Sequence, residues 1–124
     1  MKVIVAGSRG IEDAEVVYRT IEESPFEITE VVSGTARGPD TLGENWAMAH
    51  NLPVKRIPAQ WDTHGKKAGP IRNSTMAEYA DALVAVWDGE SRGTKNMIKE
   101  AQSKGLPVHL VETNQDTYQL NLDF

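Results

Sequence analysis

The sequence predicts an α/β fold: one three-layer domain in which a five-stranded parallel sheet carries helices on both faces. Three observations predict it. Short apolar runs alternate with segments of helical periodicity, in the order β-α-β-α-β-α-β-α-β. The first, fourth and fifth runs, Val3–Ala6, Leu83–Val86 and Pro107–Val111, are continuous rather than alternating, as strands covered on both faces require. No linker, repeat or shift in composition divides the 124 residues, a length that suits one domain. Right-handed crossovers then give an open, doubly wound sheet.

Each element has a local reason. Val3–Ala6 is a buried strand. Residues 12–23 form a helix, with Val17 and Ile21 at helical spacing and acids early and on the opposite face. Glu30–Ser33 is the second strand. Residues 39–50 form the second helix, with Leu42, Trp46 and Ala49 as its apolar stripe. Pro53–Ile57 is the third strand, and Pro58 opens a loop running to Gly69. Residues 70–80 form the third helix, since Pro70 suits a first turn. Leu83–Val86 is the fourth strand. Residues 94–104 form the fourth helix, stopped by Gly105 at the position after the cap. Pro107–Val111 is the fifth strand. The domain thus spans 1–111, followed by a tail over 112–124 in which Tyr118, Leu120, Leu122 and Phe124 alternate. That tail reads as a loose end, or as an added strand or dimer contact.

Composition narrows the chemistry. With no cysteine, disulfides, a thiolate nucleophile and cysteine-ligated zinc are impossible. No histidines stand at metal-ligand spacing, so no metal is expected. The apolar start Val3–Ala6 is too short for a signal peptide, and no stretch is long enough to cross a bilayer, so a cytoplasmic protein is expected. The net charge of −5 disfavours general nucleic-acid binding. Seven of the thirteen basic residues nonetheless fall in or beside glycine-bearing loops: Arg9, Arg37, Lys66, Lys67, Arg72, Arg92 and Lys95. Acids lie mostly on helices. An acidic body with basic loops points to a local anion site.

Those loops fall at the carboxyl ends of strands, where an open α/β sheet binds ligands. Strand one leads into Gly7-Ser8-Arg9-Gly10. Strand two leads into Gly34-Thr35-Ala36-Arg37-Gly38-Pro39-Asp40. Strand three leads to Gly65 and Gly69, then Arg72-Asn73. Strand four leads into Trp87-Asp88-Gly89-Glu90-Ser91-Arg92-Gly93-Thr94. Glycine lets backbone approach a phosphate, the N–H groups at a helix start point at the anion, and arginine adds two-pronged bonds. Gly93-Thr94 is the first phosphate candidate and Gly7–Gly10 the second.

Other residues read differently. Trp46 and Met76 belong to the core, and His50 and His109 are structural. Lys66 and Lys67 form a solvated loop tip. Trp61 lies in a loop and Trp87 at a strand end; Trp87 reads as core, or either of the two stacks on a base, and His64 is a candidate for acid–base work. The G-x-G-x-x-G fingerprint, the Walker loop and the G-x-S-x-G elbow are all missing.

Taken together, Gly7-Ser8-Arg9, Ser33–Asp40, Ala59-Gln60-Trp61, Gly65 with Ala68-Gly69-Pro70, Arg72–Met76 and Asp81–Leu83 running to Ser91–Lys95 resemble the SLOG superfamily, named for the Smf/DprA and Lonely-Guy proteins. They look most like its YspA, cpYpsA-related family of small bacterial and phage proteins. The resemblance implies a Rossmann-like fold that binds nucleotides or their derivatives. Lonely-Guy enzymes cleave the glycosidic bond of a modified adenosine monophosphate. They use a Gly-Gly-x-Gly-Thr phosphate loop and a glutamate three residues after its threonine. Here Gly93-Thr94 aligns with that loop's end, Glu90 and Ser91 replace its first glycines, and Met97 replaces the glutamate. Methionine cannot transfer a proton.

The expected function is therefore a nucleotide-binding or sensing module. Its ligand-binding residues are Gly7, Ser8, Arg9, Gly34, Arg37, Gly38, Asp40, Arg72, Asn73, Ser91, Arg92, Gly93 and Thr94. The ligand class includes NAD and ADP-ribose derivatives, and a homodimer is an expectation by resemblance. The alternatives are a hydrolase of an N-glycosidic or phosphate-ester bond, with Asp40 and Glu78 as candidate acids, and a single-stranded nucleic-acid binder.

Overall fold

Valine-rich runs form the centre of a parallel sheet in the computed structural model, which describes residues 1–113. The strands are β1 (Lys2–Gly7), β2 (Glu30–Ser33), β3 (Val54–Arg56), β4 (Ala82–Trp87) and β5 (Val108–Glu112), and the helices are α1 (Ala14–Glu23), α2 (Pro39–Ala49), α3 (Trp61–His64), α4 (Ala68–Tyr79) and α5 (Arg92–Ser103). The sheet order is β3-β2-β1-β4-β5, with every neighbouring pair parallel. The chain builds outward from β1 to β3, then returns to the other side of β1 to lay down β4 and β5.

Two apolar layers follow from the alternation of side chains along the central strands. Val3 and Val5 of β1 and Val84 and Val86 of β4 pack with Val17 and Ile21 of α1 and Trp46 and Ala47 of α2. Ile4, Leu83 and Ala85 face the opposite way, onto Met76 and Ala77 of α4 and Met97 and Ala101 of α5. β1 and β4 are covered on both faces, as their unbroken apolar runs require.

Element ends follow local chemistry. The Asp13 carboxylate caps α1, accepting from the N–H of Glu15 at 3.0 Å and of Val16 at 3.4 Å, so the helix starts two residues later than the acids suggest. Helix α4 begins at Ala68, and Pro70 occupies its third position, where a missing N–H still leaves no intrahelical bond unmade. The expected loop over 58–69 contains α3 and a 3₁₀ turn, Gly65–Lys67. Gly105 has a φ of +75°, consistent with its place after α5. Ala49 is exposed, a correction to the expected stripe: α2 lies on β1 through Gly43, Trp46 and Ala47. β5 reaches Glu112, so that residue belongs to the sheet rather than the tail. The alternating residues from 118 onward lie outside the described residues. Among the described residues, no helix is long and apolar enough to cross a membrane.

Gly43 permits the close approach of α2 to β1. A Cβ there would lie 2.7 Å from Cβ and Cγ1 of the fully buried Val5. Gly43→Ala is expected to lower stability: overpacking costs about 1–3 kcal/mol, against about 1 kcal/mol gained in helix propensity. Urea unfolding checks this, with Gly93→Ala as control because nothing lies within 4 Å of its added Cβ. An unchanged midpoint for Gly43→Ala would contradict the packing.

Candidate functional site

The reversal of strand order puts the carboxyl ends of β1 and β4 side by side, while their following helices lie on opposite faces. A crevice is left between the two loops. Ser8, 1% exposed, ties its walls together. Its N–H donates to the carbonyl of Val86 at 3.0 Å, and its hydroxyl accepts the N–H of Asp88 at 3.0 Å. Gly7 permits this closeness, because a Cβ there would meet the Val86 carbonyl at 2.1 Å and Cγ of Pro39 at 2.6 Å.

The loop after β4 is braced internally. Oδ1 of Asp88 accepts the N–H groups of Glu90 and Ser91, each at 2.8 Å. These bonds, that of Ser91 foremost, hold the Asp88 carboxyl below the usual carboxylate range. The Ser91 hydroxyl caps α5 by accepting the N–H of Thr94 at 3.4 Å, and the Trp87 indole donates to the Ser91 carbonyl at 3.0 Å. These bonds consume several donors that a phosphate loop would offer. Among the described residues, the backbone N–H groups of Arg9 and Gly10 on one wall and Arg92 and Gly93 on the other have no acceptor.

All four of these residues line a cleft of about 550 Å³, whose apolar lining includes Ala6 and the thioether side chains of Met76 and Met97. A second lobe of about 330 Å³ lies over Gly34–Arg37, and Arg9, Ala36, Trp61 and Arg72 border both. Trp61 is half exposed.

The loop after β2 is held in a less common backbone shape. Thr35 has a φ of +66° and Gly38 of +79°. The Ser33 hydroxyl fixes the turn, accepting the N–H of Thr35 at 3.0 Å and donating to Glu44 at 2.6 Å, while Oδ2 of Asp40 accepts the N–H of Ala36 at 3.2 Å. A hydrogen-bonded chain then crosses the cleft. Nη1 of Arg72 donates to the Gly34 carbonyl, and its Nε donates to Oδ1 of Asn73 at 2.9 Å. Nδ2 of Asn73 reaches the Gly93 carbonyl at 3.3 Å and Oδ1 of Asn96 at 2.9 Å. Burial lowers the pKa of Arg72, opposed by the attraction of Asp40.

The cleft gathers Gly7, Ser8, Arg9, Asp40, Arg72, Asn73, Ser91, Arg92, Gly93 and Thr94. Gly34 and Arg37 border the second lobe. Gly38 lines neither lobe; its site would bring a Cβ within 3.0 Å of the carbonyls of Ser8, Arg9 and Ile11. Glu78 stands outside both lobes, exposed, and pairs with Lys104 at 3.4 Å. Lys66, Lys67 and Lys95 line neither lobe. Of the two tryptophans considered for stacking, Trp61 borders the cleft while Trp87 braces a loop. Sequence reasoning missed the parts of Asp88 and Asn96. The Asp88–Ser91 spacing after a strand is a turn-capping pattern that could have revealed the first. Nothing local marks the second.

Asp40 is 4% exposed, and burial is the main cause of a pKa raised from 3.8 to about 6. Its bond from Ala36 and its attraction to Arg72 oppose that rise. The folded state therefore binds this proton more tightly than the unfolded chain does. The stability it contributes is complete below about 3.8 and is lost as pH rises through about 6. Asp40→Asn is expected to be most stabilising, relative to the natural chain, above pH 6, by on the order of 3 kcal/mol. Denaturant unfolding of both proteins across pH checks this; a difference constant with pH would show that Asp40 titrates normally.

Comparison with known proteins gives three findings. The pattern of the YspA, cpYpsA-related SLOG family matches residues 1–64. The Gene 61 protein of Mycobacterium phage D29 is 36% identical over 117 residues, covering 86% of this chain and 93% of that protein. The X-ray structure of DNA processing protein A (DprA) from Streptococcus pneumoniae matches with a TM-score of 0.74 at 19% identity, over 98% of this chain and 56% of that one. The chain thus spans just over half the length of that protein, and the likeness is one of fold.

Proposed function

This chain belongs to the YspA, cpYpsA-related SLOG family, and from that premise we propose that it binds a nucleotide or nucleotide-derived, phosphate-bearing ligand at the C-terminal rim of its sheet. One observation carries the reading. Two loops meet across the β1–β4 crevice, each contributing a pair of residues whose N–H groups have no acceptor among the described residues. Arg9 and Arg92 add charge beside them, and the start of α5 adds its dipole. The apolar stretch at Ala6, Met76 and Met97 suits the uncharged part of such a ligand.

Binding is favoured over bond cleavage. Met97 lines the cleft where the resemblance would require a glutamate, and Asp88 is committed to its own loop. A hydrolase reading rests on Asp40, the buried carboxyl that lines the cleft with a raised pKa. Release of base or phosphate from a nucleotide panel, lost in Asp40→Asn, would favour that reading. The name of the DNA-processing neighbour raises a nucleic-acid ligand as a further reading, which the net charge of −5 opposes.

Thermal unfolding with mononucleotides, NAD, ADP-ribose and cyclic nucleotides tests the proposal. A ligand at about 100 times its dissociation constant adds roughly 2.7 kcal/mol, a midpoint rise on the order of 5–15 °C for this length. Gly93→Asp places a carboxylate at the start of α5, where nothing obstructs its Cβ and an acid suits the helix dipole. The variant is expected to fold as well as the natural chain and to lose the ligand-induced shift. A full shift in Gly93→Asp would move the phosphate away from α5.

A further inference from the structure

Asp40 presents an unmatched acceptor. It lines the cleft while being 4% exposed, and Oδ2 takes the N–H of Ala36. Among the described residues, no hydrogen bond reaches Oδ1. The nearby cation does not serve it: Nη1 and Nε of Arg72 donate to Gly34 and Asn73. The residue as a whole is nearly shut off from water, so a ligand seated in the cleft gains by supplying Oδ1 with a donor. That donor is a neutral group, because the anion-seeking N–H groups and Arg9, Arg72 and Arg92 of the same cleft select against a cationic one. Neutral donors on a phosphate-bearing nucleotide are the hydroxyls of its sugar and the amino group of its base.

We infer that Asp40 accepts a ribose hydroxyl through Oδ1, so that the cleft prefers ribonucleotides to their deoxy counterparts. The inference rests on the nucleotide reading above and adds the sugar to it. The carboxylate also holds the Gly34–Gly38 loop through Ala36, so one side chain couples loop shape to sugar recognition. Asparagine at this position keeps an oxygen for Ala36 but turns an NH₂ toward the cleft, replacing a charged acceptor by a neutral group.

Titration calorimetry with ADP, 2′-deoxy-ADP, 3′-deoxy-ADP and IDP tests this. The natural chain is expected to bind ADP and IDP alike and at least one deoxy compound about 10- to 100-fold more weakly, as the loss of a hydrogen bond to a charged group implies. In Asp40→Asn that penalty shrinks to about fivefold or less, since neutral bonds are roughly half as strong. In the natural chain the penalty grows as pH rises through about 6 and the carboxylate gains its charge, a change a purely loop-holding role would not produce. The charged groups acting on that titration are Arg72 from α4, Arg9 from the β1–α1 loop and Glu44 from α2 itself. Equal binding of ADP and both deoxy compounds overturns the inference and leaves the nucleotide reading standing. A weaker IDP with unimpaired deoxy binding assigns Asp40 to the base amino group and also overturns it. Absence of ADP binding by the natural chain, together with no thermal shift from any compound of the nucleotide panel, removes both.

Discussion

The short bridge between the ends of β1 and β4 is the constraint on which the site depends. The buried Ser8 spends its N–H on Val86 and its hydroxyl on Asp88 at the switch in strand order. With the walls fixed there, the Asp88 carboxylate can draw the Glu90 and Ser91 N–H groups inward, and Ser91 can then cap α5. What remains unpaired at the rim is thereby set. The glycine at position 7 is part of the same device, since any side chain would strike the Val86 carbonyl and Pro39.

The opposite wall is organised by a second set of polar contacts running from Gly34 through Arg72 and Asn73 to Gly93. These side chains sit where ligand contacts were expected, yet much of their donor capacity is used in holding two loops in register. Buried polar chains of this kind are costly when partly satisfied and rigid when satisfied. The same pattern leaves Asp40 as a buried carboxyl with spare acceptor capacity, and the proposed sugar preference rests on it.

Much of the architecture was legible because continuous apolar strands and punctuating glycines and prolines are local signals. The bounds of β2 are legible, and the α/β class and parallel sheet follow from the alternation of runs together with the continuous apolar strands. The loops at the strand ends were legible for the same reason: glycine, arginine and serine cluster there. Other features needed three dimensions. α3 is one turn long and has no periodicity to read. The stripe of α2 was misread at Ala49 because its register is set by the contact of Gly43 with Val5. Glu78 looked as good an acid as Asp40 in sequence, and only the packing of α4 sends one to solvent beside Lys104 and the other arrives at the cleft from α2. Which N–H groups a loop keeps for itself is likewise invisible until the Asp88 bonds are seen.

On the proposed reading, the unpaired N–H groups of Arg9, Gly10, Arg92 and Gly93 form the anion site of a nucleotide cleft. Backbone amide shifts of the isotope-labelled chain, followed by NMR as ADP is added, test it most directly. Saturable shifts are expected to concentrate at those four amides, with those of Glu90 and Ser91 little changed because Asp88 already holds them. Saturable shifts centred elsewhere, or none at these four residues, would contradict it.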